Sequence, residues 1–65
     1  TGPVARGDAA TIQRNLGALR GDEGATAAYV ALSREALGLA AAGGVPPDRI
    51  AAIREILACT SDGDD

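Results

Sequence analysis

Two breaks divide this chain, one at Arg20-Gly21 and one at Gly43-Gly44-Val45-Pro46-Pro47, and the stretches they leave are written in strong helix formers. Glycine weakens a helix through its excess backbone freedom, and proline has no amide hydrogen to give to one. The punctuation therefore predicts an all-α chain of three helices, with no internal repeat and no strand. The first runs from about Asp8 to Leu19. Its Ile12, Leu16 and Leu19 fall on one face at i, i+4 and i+7. Asp8 stands where a carboxylate accepts hydrogen bonds from the first turn and faces the positive end of the helix dipole.

The second segment begins at Asp22 or Glu23 and continues to about Ala42, weakened by Gly24 and Gly38. Tyr29, Leu32, Ala36 and Leu39 form one apolar stripe. Val30 and Leu37 lie on an adjoining face, so contact with more than one neighbour is expected. The small residues Ala28, Ala31, Ala36, Ala40 and Ala41 would let another helix come close. The third segment starts at Pro47, whose missing amide hydrogen has no partner in a first turn anyway. Ile50, Ile53 and Leu57 mark its inner face and Ile56 widens it. We place the helical domain at residues 1–58 and an acidic, disordered tail at 59–65.

The apolar side chains are small. Thirteen Val, Ile and Leu and a single tyrosine accompany fifteen alanines, with no Phe, Trp or Met. At about 25 cal/mol per Å² of buried apolar surface, this set hardly offsets roughly 1.5 kcal/mol of ordering entropy per residue. The remaining stabilisation is expected from another copy of the chain or from a parent domain. A start on Thr-Gly-Pro without methionine also points to a piece of a larger protein.

The formal charge is −3, and all six basic residues are arginines scattered along the chain. Nucleic-acid binding draws on clustered phosphate-neutralising cations, so it is not expected. No run of about eighteen apolar residues suggests a membrane span, and a cytoplasmic setting is the expectation. The preference for Ala, Gly and Arg suggests a GC-rich bacterial genome. Cys59 is the only cysteine. It is read as a small, partly buried apolar residue rather than a reactive thiol.

The chemical inventory is thin. There is no histidine and no lysine, so the usual base for a serine or cysteine nucleophile, the Schiff-base former and a zinc-type ligand set are all missing. No G-x-G-x-x-G turn follows a strand, so no dinucleotide site is encoded. Asp22-Glu23 reads as helix-start chemistry rather than a catalytic carboxylate pair, because adjacent side chains on a helix diverge. Tyr29 is read as a core residue with its hydroxyl at the edge. We assign no catalytic, cofactor-binding or metal-binding residue. Arg6-Gly7-Asp8 matches the adhesion tripeptide, but Asp8 is better employed as a helix cap and Gly7 as the bend into it. Thr1, Gly2, Arg6 and Asp8 nonetheless crowd a turn before a helix N-terminus, where amide groups and a cation can meet an anionic group.

The runs TGPVARGDAATIQRNLGAL and YVALSREALGLA resemble the C-terminal helical domain of bacterial Rossmann-like oxidoreductases, the family designated domain of unknown function 2520. In that family a Thr-Gly-Pro, an Arg-Gly-Asp, a helix and a tyrosine-containing, alanine- and leucine-rich helix follow in this order. The resemblance spans about residues 1–58. It implies a helical domain like the C-terminal domain of 6-phosphogluconate dehydrogenase relatives, joined in the parent to an N-terminal NAD(P)-binding domain that this chain lacks. Similar proteins include ketopantoate reductases and pyrroline-carboxylate reductases, whose helical domains pair subunits and close one side of the substrate cleft. Thr1, Gly2, Pro3, Arg6, Gly7 and Asp8 match the family motif. The resemblance implies that Thr1, Gly2, Arg6 and Asp8 lie near substrate. Arg6 either touches substrate or, as we favour, braces the turn from a partly buried position by pairing with a carboxylate such as Asp8.

Two functions follow as expectations. One is a dimer-forming, cleft-closing part of an NAD(P)-dependent oxidoreductase that binds no cofactor by itself. The other is a stand-alone helical interaction or oligomerisation module that assembles through its second helix. A small helical nucleic-acid binder is disfavoured by the net charge.

Overall fold

A computed structural model describes residues 2–62, with the side chains of 61 and 62 left aside. It contains four helices, α1 (Pro3–Arg6), α2 (Ala9–Ala18), α3 (Glu23–Ala42) and α4 (Pro47–Asp62), and no strand among the described residues. The all-α class and the three longer helices are as expected; the single turn α1 is additional. Pro3 stands at its first position, where the ring's fixed φ suits a helix.

Local chemistry sets the ends. At the close of α1 the Asp8 amide donates to Pro3 O at 2.8 Å and the Gly7 amide to Val4 O at 3.0 Å. That double bond pattern around a left-handed residue is a Schellman motif, and Gly7 supplies the residue at φ 69°. The end of α3 repeats it. Val45 N donates to Ala40 O at 3.1 Å and Gly44 N to Ala41 O at 3.4 Å, with Gly44 at φ 103°. Asp22 caps α3 by accepting from the Ala25 amide at 3.0 Å. The turn between α2 and α3 is tied down by Thr26 Oγ1, which donates to Leu19 O at 3.1 Å.

The α4 helix continues to Asp62, past the expected boundary at residue 58. The remainder of the acidic tail, 63–65, lies outside the described residues.

The core consists of Val4, Ile12, Val30, Leu37, Ala40, Ile50, Ile53 and Leu57, with Ile12, Ile53 and Leu57 fully enclosed. The α4 face expected from Ile50, Ile53 and Leu57 is thus the buried one. On α3, where contact on more than one apolar face was expected, the structure buries chiefly one. The buried face is Val30, Ser33, Leu37 and Ala40, whereas Leu32 and Leu39 are 72% and 76% exposed. Both faces are apolar, so periodicity alone did not rank them. Neighbours decided: α3 packs on α4 and α1, and the short side chains of Ser33 and Ala40 let them come near. Among the described residues no buried side-chain nitrogen or oxygen lacks a hydrogen-bond partner.

The helices α2 and α3 pack mainly on α1 and α4 rather than on each other. The result is an open cleft of about 1200 Å³ whose lining includes Leu16 of α2, Val30 of α3 and Ile56 of α4.

Candidate functional site

The residues singled out by the Arg-Gly-Asp motif sit at the corner between α1 and α2. Because Gly7 ends α1 and Asp8 caps α2, no linker separates the two helices. Asp8 therefore serves two elements at once. Its amide closes the α1 terminus, and its carboxylate opens α2 by accepting from the Thr11 amide at 3.1 Å and from Thr11 Oγ1 at 2.7 Å. The same carboxylate accepts from Arg6 Nη2 at 3.4 Å. The corner also fits tightly against the start of α4. A methyl group on Gly7 would stand 2.9 Å from Arg49 Cδ and 3.1 Å from Val45 Cγ1.

Of the four residues expected near substrate, the fold gathers three. Gly2 caps α1 and its carbonyl accepts from the Arg6 amide at 3.2 Å, while Arg6 and Asp8 form an ion pair. Thr1 lies outside the described residues. Arg6 was expected to be partly buried, but its side chain is 54% exposed against 34% for Asp8. The pairing itself is as expected; the depth is not, because α1 is a single turn at the surface.

The hydrogen bonds from the Thr11 hydroxyl and then the Thr11 amide, with a smaller contribution from Arg6, hold the Asp8 carboxyl below its ordinary value of 3.8. A carboxylate engaged by three donors of its own chain is a poor proton acceptor, and its chemistry here is structural. Because the folded pKa lies below the unfolded one, the stabilisation is fully present above the unfolded value. It is lost as the pH falls through the lowered folded value. Thermal unfolding of the parent chain and Asp8→Asn between pH 7 and pH 2 checks this. The parent is expected to be the more stable at neutral pH, with the difference shrinking as acid protonates Asp8. A constant difference across that range would contradict the lowered pKa of Asp8.

The other candidates are placed as follows. Tyr29 is half-buried and its hydroxyl accepts from Asn15 Nδ2 at 3.0 Å, which ties α3 to α2. The Asp22 carboxylate is taken up by the α3 start, consistent with the helix-start reading. Cys59 is exposed rather than partly buried, because it lies two residues past Leu57, about 200° round the helix and so on the side away from Ile53 and Leu57. Among the described residues, no group of three or more His, Cys, Asp or Glu is arranged to hold a metal ion. Among them, too, no helix is long and apolar enough to cross a membrane.

Sequence reasoning missed Thr11 and Asn15. The first had a legible signal, since Asp8-x-x-Thr11 is the spacing at which a cap meets the third helical residue. Asn15 had none, because its partner Tyr29 lies fourteen positions away.

The sequence model of one family, described as a domain of unknown function (DUF2520), matches residues 1–36. The chain belongs to the DUF2520 family. The matched stretch is more than half of the chain and takes in the α1–α2 corner, all of α2 and α3 as far as Ala36. The corner formed by Gly7, Asp8 and Thr11 thus lies inside the matched stretch, and α4 lies beyond it. No curated protein and no solved structure matches the chain.

Proposed function

We propose that this chain is the dimerisation and cleft-closing part of the C-terminal domain of a Rossmann-like NAD(P)-dependent oxidoreductase, acting in the bacterial cytoplasm and not catalytic by itself. Membership of DUF2520 supports the reading. A sequence without histidine or lysine offers no imidazole or amine base, in keeping with a part that is not catalytic by itself. The observation that carries the pairing is on α3. Leu32 and Leu39, two turns apart on one side of the helix, stand exposed to solvent, flanked by the half-buried Ala36 and Tyr29. Two large aliphatic side chains in one line on a helix of twenty residues are suited to a second copy of the same helix. In this reading the Gly2–Arg6–Asp8 corner lies near substrate, and Arg6 acts by bracing Asp8 rather than by reacting.

Sedimentation equilibrium at micromolar concentration tests the pairing. The parent chain is expected to be a dimer, and Leu32→Glu with Leu39→Glu to be a folded monomer by its unchanged helical circular dichroism. A strictly monomeric, folded parent chain would overturn the proposal. A titration of this chain with NADPH is expected to show no binding; saturable binding would mean that the cofactor site is here after all.

The same exposed α3 face supports a second reading, a stand-alone helical oligomerisation module with no enzymatic parent. The DNA immediately upstream separates the two. An open frame encoding G-x-G-x-x-G on a strand–helix turn supports the oxidoreductase, and a start codon directly before Thr1 supports the module.

A further inference from the structure

We draw no further inference here: the strongest candidate, the open cleft between α2, α3 and α4, combines apolar Leu16, Val30 and Ile56 with Arg20, Glu23 and Glu55 of both charge signs in its lining, and nothing in the structure shows what covers it.

Discussion

Replacing Ile53 by alanine is expected to lower the unfolding free energy by about 2–5 kcal/mol. Ile53 is fully enclosed and belongs to α4, which packs on both α3 and α2. Truncation there removes apolar burial and leaves a cavity that the two neighbouring helices can close only by shifting together. The loss matters more than in a large domain. A chain of this size draws only about 3–5 kcal/mol from a single core, so the variant is expected to be largely unfolded at 37 °C. Urea unfolding followed by circular dichroism at 25 °C reads the change directly. Arg54→Ala serves as the comparison, because that residue is exposed on the same helix and its loss should stay within about 0.5 kcal/mol. Equal effects at the two positions would show that the core is not where the structure puts it.

The second large effect is expected at Gly7. A left-handed conformation costs a residue with a Cβ about 1–2 kcal/mol, and Gly7 sits at φ 69°. Sterics add to that. The new methyl would meet Arg49 Cδ at 2.9 Å, Val45 Cγ1 at 3.1 Å and Arg49 Cβ at 3.3 Å. The outer part of the arginine can swing away, but its Cβ and the half-buried Val45 are held by the backbone. Gly7→Ala is therefore expected to lower stability by about 2 kcal/mol or more, and Gly7→Val by more still. Two other glycines separate the contributions. Gly44 has a positive φ with open space around it, and Gly2 has neither constraint. The expected order of destabilisation by alanine is Gly7, then Gly44, then Gly2. Adding Arg49→Ala to Gly7→Ala should recover part of the loss, the part that is steric. If Gly7→Ala cost no more than Gly44→Ala, the close packing of the corner on α4 would be disproved.

These two expectations explain what Arg-Gly-Asp does in this chain. The tripeptide is a junction: an arginine ends one helix, a glycine turns the chain left-handed beneath α4, and an aspartate begins the next helix. Each member uses a different property, namely the guanidinium donors, the missing Cβ and the carboxylate acceptor. The adhesion reading requires the arginine and aspartate side chains to be presented to a receptor on an exposed loop. Here the Asp8 carboxylate is occupied by Thr11 and Arg6, and Gly7 is buried.

The sequence by itself determined whatever depends on neighbours within a turn or two. The breaks at Gly21 and at Gly43-Gly44, the caps at Asp8 and Asp22, and the inner face of α4 were all legible. A cap bonds to an amide three residues on, and a sharp apolar stripe such as Ile50, Ile53 and Leu57 has one sensible way to face. Even α1 had its local signals in Pro3 and Gly7, although a single turn is too short to show periodicity. Only the tertiary structure decided the rest: which apolar face of α3 is buried, the depth of Arg6, the exposure of Cys59, the Asn15–Tyr29 bond and the crowding of Gly7 by Arg49. On α3 the stripe through Leu32 and Leu39 is bulkier than the one through Ser33 and Ala40, yet the slimmer face went inward. Close approach of α1 and α4 needs small side chains at the contact, and helical spacing carries no record of how near another helix will come.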